Sequence, residues 1–256
     1  TCHSLDHGGA EPRKTSTGIG GQVGPINSPT VLNSSYNFVQ FWDGRAQDLQ
    51  EQAAGPVENP IEMGAKWDNV VKRLGKNAEY VAAFAKLYDD GITKNNATDA
   101  IAEYEKSLIT PSRFDAFLNG DDAAITEAEK QGYATFKEVG CTACHSGIIA
   151  GGAMFQKMGL VADYFKDRGT AITDADLGRY NVTKKEQDKH FFKVPTLRNV
   201  ELTSPYLHDG SQASLEEVVK VMGKYQLGRE LSDAQINGIV TFLKSLTGKL
   251  PAHARP

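Results

Sequence analysis

The residues with the clearest chemical purpose are Cys141, Thr142, Ala143, Cys144 and His145. Two thiols separated by two residues and followed at once by a histidine form the attachment pattern of a c-type haem. Each thiol gives a thioether to a vinyl group and the imidazole binds the iron, and one turn of chain brings all three together only at this spacing. A zinc site or a redox dithiol would share the Cys-x-x-Cys, but zinc needs four ligands, and the chain has only one other cysteine, Cys2. Cys2 is followed by His3, so the chain opens Thr1-Cys2-His3-Ser4, while the later motif ends Ala143-Cys144-His145-Ser146. The opening reads as the end of a second haem site whose first cysteine precedes Thr1. An odd cysteine count is then one complete and one truncated haem motif rather than a disulfide framework.

An accidental Cys-His at the start is dismissed by an internal repeat downstream of each motif. After Cys2-His3 come a Gly-rich loop, Pro29-Thr30-Val31-Leu32-Asn33, Phe41-Trp42-Asp43-Gly44-Arg45, Asp48-Leu49-Gln50-Glu51-Gln52 and Glu62-Met63-Gly64. After Cys144-His145 come Pro195-Thr196-Leu197-Arg198-Asn199, Leu207-His208-Asp209-Gly210-Ser211, Ser214-Leu215-Glu216-Glu217-Val218 and Val221-Met222-Gly223. Each half closes with apolar residues at helical spacing, Ile101, Tyr104 and Leu108 with Glu105 in the first, and Ile236, Ile239, Val240, Leu243 and Leu246 in the second. Capping boxes at Ser232 with Gln235 and Thr126 with Glu129 open two helices. The second of these runs through Tyr133, Phe136 and Val139 and delivers the chain to Cys141. The pattern predicts a mainly α fold of two cytochrome c-like haem domains related by an internal repeat, residues 1–118 and 119–256, with the boundary near Asp115 to Asp122. Residues 147–193 have no counterpart in the first half, and 184–189 read as a solvated loop.

A net charge of −4 and a pI near 5.9 give no basis for binding nucleic acid or an anionic membrane surface. No apolar run reaches the length of a membrane span and no signal segment opens the chain, so a mature soluble protein is expected. Because c-type haems are attached outside the cytoplasm, the expected compartment is a bacterial periplasm.

With one face of each iron taken by His3 or His145, the opposite face decides between carrying electrons and doing chemistry. Leu215, Val218, Val219 and Met222 share a helix face, and Gly223 reads as a C-cap, which makes Met222 the sixth ligand of the second haem and also a residue that core packing alone would explain. The corresponding position in the first half reads as Met63, preceded by Glu62 where the second half has Val221, and Gln52 stands where the second half has Val218. If Met63 binds iron, the protein is a dihaem electron carrier. If Glu62 instead faces an open iron, a small oxidant can bind beside an acid-base group.

Taken in order, Gly24 to Asn33, Phe41 to Arg45, Asp176-Leu177-Gly178-Arg179-Tyr180, Val194 to Val200 and Val221-Met222-Gly223 resemble the bacterial dihaem cytochrome c peroxidases over essentially the whole chain. The resemblance implies a high-potential haem on Cys141, Cys144, His145 and Met222 that accepts electrons, and a low-potential peroxidatic haem on the motif of Cys2 with His3 as proximal ligand. It implies that Glu62 and Gln52 line the distal pocket and that Trp42 lies on the electron path. It also implies a calcium ion held by the Asn27 side-chain oxygen and the Thr203 and Pro205 carbonyls, a homodimer, hydrogen peroxide as substrate, and a small soluble cytochrome c or copper protein as donor. Many members carry a histidine in the loop before Gly-Pro that ligates the peroxidatic iron at rest. Here Ile19 stands in its place, and His7 comes too soon after His3 to serve, so no histidine lock is expected. Relatives that oxidise a protein substrate use a tyrosine where this chain has Met222, which argues against that activity. The rival readings are a non-enzymatic electron carrier and a haem-binding sensor or assembly module.

Overall fold

The computed structural model describes residues 2–255, and these are mainly helical. The first half contributes α1 (Leu49–Glu58), α2 (Trp67–Leu74), α3 (Ala78–Leu87) and α4 (Lys94–Lys106). The α1 helix starts at Asp48, whose carboxylate accepts the Glu51 N–H at 2.8 Å. It carries Pro56 within it, which has no N–H to offer the Gln52 carbonyl. Helices α3 and α4 start at the side-chain caps Asn77 and Thr93. Then come α5 (Arg113–Leu118) and α6 (Glu127–Val139), each opened by a capping box, Ser112 with Asp115 and Thr126 with Glu129. In the second half, α7 (Tyr164–Arg168) and α8 (Tyr180–Thr183) are short, and α9 (Leu215–Leu227) and α10 (Asp233–Lys244) are long. Strands β1 (Phe155–Lys157) and β2 (Phe191–Lys193) pair antiparallel with Phe155 opposite Lys193.

The larger core lies where α6 crosses α10, around Phe136, Val139, Ile239, Phe242 and Leu243. The crossing is close because two glycines meet: a Cβ on Gly132 would collide with the Gly238 carbonyl oxygen. A smaller core joins Leu32 and Leu108 to Ala254, with Leu250 against it. The end of the chain thus packs on its first half.

Two of the helix expectations need correction. The face of α4 that is buried is Ala97, Thr98 and Ala102, whereas Ile101 and Tyr104 are exposed; the small side chains let α1 lie close, and Leu108 is buried just past the helix end. Gly223 does not cap α9. The helix continues to Leu227 and is capped by Gly228 in the left-handed conformation, while Gly223 makes room for the Leu231 side chain and the Arg229 carbonyl.

Matching local geometry recurs in the two halves. Asn33 and Asn199 both adopt left-handed backbone, with φ of 58° and 59°, as do Phe41 and Leu207, with φ of 66° and 70°. Thr30 Oγ1 donates to the Gly8 carbonyl and Thr196 Oγ1 to the Ile149 carbonyl. The two asparagines converge on one buried hydroxyl: Asn33 Nδ2 and Asn199 Nδ2 each donate to Thr110 Oγ1 at 2.8 Å. Their side-chain oxygens accept the N–H groups of Thr110 at 3.0 Å and Gly248 at 2.9 Å.

Candidate functional site

The C-terminal motif opens onto a cleft of about 1720 Å³, solvent-filled space included, lined by Cys141, Cys144, His145, Leu215, Val218 and Met222. Positions 1, 4 and 8 of α9 supply the last three, so one stripe of the helix faces the cleft. His145 Nδ1 lies 3.3 Å from the Ala150 carbonyl, which only accepts, so Nδ1 carries the proton and Nε2 keeps its lone pair for a metal. Burial lowers the imidazole to about 4, so the ring is neutral at physiological pH. Burial likewise pushes the Cys141 thiol up to about 11, which suits a thioether better than the thiolate that zinc requires. An apolar cleft with two thiols, a neutral oriented imidazole and a thioether sulfur fits a covalently attached haem.

The N-terminal motif is built the same way. His3 Nδ1 lies 3.3 Å from the Gly9 carbonyl, and burial lowers the ring's pKa against the opposing pull of the Gly9 and Pro29 carbonyls and of Glu62 and Glu11. His3 is nonetheless exposed at its surface.

Glu62 stands in an open recess of about 560 Å³, solvent space included, lined also by Phe41, Arg45, Glu51, Pro56 and Asn59. Asn59 Nδ2 donates to Glu62 Oε1 at 2.7 Å and fixes the carboxylate. Its charge acts on both Cys2 and His3. The loop that carries Ile19 is fastened to the same turn, since the Ile19 N–H donates to the Glu62 carbonyl at 2.7 Å and a Cβ on Gly18 would strike the Ile61 and Glu62 backbone.

The pairing of Met63 with Met222 is corrected. Counting from the caps Asp48 and Ser214, Gln52 and Val218 are each fourth, but the eighth residue is Met222 in one helix and Pro56 in the other. Met63 lies beyond the end of α1 and is 54% exposed. Where the second half offers a sulfur, the first offers a proline, which has no ligand atom. Gln52 is half-buried at the position where Val218 faces the cleft, but it is not among the residues lining the Glu62 recess.

On the wall of the C-terminal cleft, Trp42 and His208 meet with ring centroids 6.5 Å apart, and Phe192 packs on both. Trp42 Nε1 donates to the Asn27 carbonyl at 2.9 Å. Asn27 Nδ2 faces the carbonyls of Arg13, Lys14 and Pro205 at 3.2–3.3 Å. The amide nitrogen therefore points where the sequence reading put its oxygen, and no side chain among the described residues donates a hydrogen bond to the Thr203 carbonyl. A half-turn of the amide would set an oxygen among three carbonyls, an arrangement that only a hard cation would reconcile.

The sequence reading missed His208, Asp176 and Arg168. His208 Nε2 is 2.8 Å from Asp176 Oδ1, and Arg168 donates to both Asp176 oxygens and to Asp209. Burial opposes ionisation of Asp176, but Arg168, Thr173 and His208 hold it well below the usual carboxylate range. One ligand atom from each of Asp176, His208 and Asp209 lies within 4.8 Å of the others, yet the guanidinium already serves both carboxylates. The signal was available, since His208 follows Leu207 as Trp42 follows Phe41.

The family of di-haem cytochrome c peroxidases matches residues 1–123. The chain is 47% identical over its full length to the cytochrome c551 peroxidase of Nitrosomonas europaea, covering 75% of it, and 44% identical over 98% of its length to that of Pseudomonas aeruginosa, covering 73%. It belongs to the dihaem cytochrome c peroxidase family. The enzyme class expected from the sequence is the one these relatives carry, and membership of a dihaem family implies two haem c cofactors. The chain is also 52% identical to the cytochrome c peroxidase Ccp of Escherichia coli, but spans about half of that protein, 53%. A crystal structure of a MauG-like protein associated with microbial copper homeostasis superposes with a TM-score of 0.85 at 26% identity, covering 97% of this chain and 83% of that one. No helix of the described residues is long and apolar enough to cross a membrane.

Proposed function

We propose that this dihaem peroxidase reduces hydrogen peroxide to water at the N-terminal haem, with electrons that enter through the C-terminal His/Met haem. The observation that carries the reading is the pair Glu62 and Pro56: a carboxylate held by Asn59 in a recess beside the His3 site, and a proline at the helix position where Met222 faces the other cleft. When bound, the N-terminal haem supplies the iron centre and the electrons for reduction.

Peroxide needs a proton moved from one oxygen to the other, because hydroxide leaves poorly and water leaves well. Glu62 takes the proton from the near oxygen and returns it to the departing one, a role worth about 10²–10⁴ in rate. Gln52, one turn before Pro56, orients the peroxide through its amide. Two electrons and two further protons complete the conversion to two waters. Ile19 has no ligand atom, so the loop fastened to the Glu62 turn leaves the distal side of the N-terminal site open without prior reduction.

In the same reading, the two halves are cytochrome c-like domains, 1–118 and 119–256, of one repeated design, supported by the recurring geometry at Asn33 and Asn199. Trp42, packed against His208 and Phe192, shortens the gap between the sites. Asn27 with Thr203 and Pro205 forms the calcium site once its amide is turned. The donor is a small soluble cytochrome c or copper protein and the assembly a homodimer, both on family resemblance, and the compartment is the periplasm or its equivalent, because c-type haems are attached outside the cytoplasm.

Glu62→Gln is expected to keep both haems and to lose at least 100-fold in peroxide-dependent oxidation of a reduced cytochrome c. Full turnover in that variant would remove the acid-base role from Glu62. If the wild-type protein carries two haems yet shows no peroxide-dependent turnover, the electron-carrier reading takes its place.

A further inference from the structure

Lys193 is largely buried on the wall of a cleft, and its side chain has no partner among the described residues. It is 6% exposed, lines the cleft of the C-terminal motif, and among the described residues its ammonium makes no hydrogen bond or ion pair. It is the only lysine or arginine among the described residues that line this cleft. An ammonium taken out of water needs acceptors for its N–H groups or an opposite charge, and removing it from solvent without either is expensive. Burial accordingly lowers Lys193 to about 8. The position could have held an apolar residue at no such expense, as Val194 beside it does.

Its place in the fold is specific. Lys193 precedes Pro195-Thr196 as Asn27 precedes Pro29-Thr30, and each is buried. Each also reaches across to the other half: the Asn27 N–H donates to the His208 carbonyl and the Lys193 N–H to the Trp42 carbonyl, both at 2.8 Å. Asn27 meets three carbonyl oxygens. Its counterpart lines the cleft of the C-terminal motif.

We propose that the ammonium of Lys193 binds a propionate carboxylate of the C-terminal haem. A haem brings two such carboxylates, and this cleft holds the thiols and the imidazole that attach one. The ion pair would satisfy the lysine and neutralise charge beside the iron. A cation fixed next to a haem disfavours the oxidised, more positive state, so Lys193 is a positioning residue that keeps this haem easy to reduce. The inference rests on the dihaem reading of the site.

The test is potentiometric titration of the purified dihaem protein and of Lys193→Met and Lys193→Arg. In Lys193→Met the equilibrium constant for reducing the C-terminal haem is expected to fall at least tenfold, a midpoint shift of about 59 mV for one electron. Lys193→Arg, which keeps the charge, should stay within threefold of wild type. Retention of the haem by Lys193→Arg and its loss from Lys193→Met would also support the pairing. A Lys193→Met protein with the wild-type midpoint overturns it, and so does loss of the haem from both variants alike, because shape rather than charge would then be what the position requires. Wild-type protein lacking a C-terminal haem would instead refute the dihaem reading itself.

Discussion

Single side chains decide how the two sites differ. Pro56 and Met222 hold the same helix position eight residues past a cap, and only the methionine has an atom able to ligate a metal. Ile19 adds to this difference. The fully oxidised protein is expected to give a high-spin ferric signal by electron paramagnetic resonance without prior reduction; two low-spin signals and no other would show that a side chain closes the N-terminal site at rest. Glu105 sets a pH dependence. It sits five residues before Thr110 as Leu243 sits five before Gly248, the two residues bonded to Asn33 and Asn199, and Leu243 lines the C-terminal cleft. Burial raises Glu105 from 4.5 to about 7. A raised carboxyl pKa means that the folded state holds the proton more tightly, so this stabilisation is complete below about pH 4.5 and is lost as pH rises through about 7. Glu105→Gln should flatten thermal stability across that window, where the ionising carboxyl costs the wild type up to about 3 kcal/mol. An unchanged slope would show that Glu105 is solvated when ionised.

Among the elements, the crossing of α6 and α10 carries most of the larger core, and it depends on Gly132 and Gly238 lying backbone to backbone. Gly132→Ala places a methyl group against a carbonyl oxygen that cannot move without shifting α10. Overpacking of this kind costs about 1–3 kcal/mol, read as a midpoint several degrees lower in thermal denaturation; an unchanged midpoint would mean that the helices part freely. Much of this element was legible beforehand. The Thr126 capping box, the apolar spacing through Phe136 and Val139, and the capping box at Ser232 all stand in the sequence as the fold uses them. The buried face of α4 was not, because Ala97, Thr98 and Ala102 are too small to outweigh Ile101 and Tyr104 in an apolar pattern. Nor was the length of α9, since Gly223 resembles a helix stop but supplies room for Leu231. The pairing of Met63 with Met222 failed for a related reason: matching residue types across the halves ignored the fixed count from each helix cap.

On the scale of the whole molecule, the halves meet at Trp42 with His208, where Asn27 bonds the His208 carbonyl and Lys193 the Trp42 carbonyl, and at Asp115, which Arg198 grips through both guanidinium nitrogens. Burial opposes ionisation of Asp115, yet Arg198 and Ser112 together hold it at about 2. The chain's last residues cross back to cover Leu32 and Leu108. None of these contacts appears in sequence spacing, because each joins residues far apart along the chain. Thr110→Val keeps the shape of the side chain while taking the acceptor from two buried amides, at about 1–3 kcal/mol for each unsatisfied group. Chemical denaturation followed separately at each haem should then shift both transitions together; a shift in only one would show that the halves unfold independently.

That shared hydroxyl carries a further implication. Thr110 belongs to the first half by position but latches Asn199 of the second, and Gly248, its opposite number, has no hydroxyl to return the favour. A segment excised at residue 118 would leave its neighbour with a dangling amide and no spare copy of the missing latch. The dependence is one-sided: the first unit carries its own latch away with it, whereas the second, taken alone, is about 1–3 kcal/mol less stable.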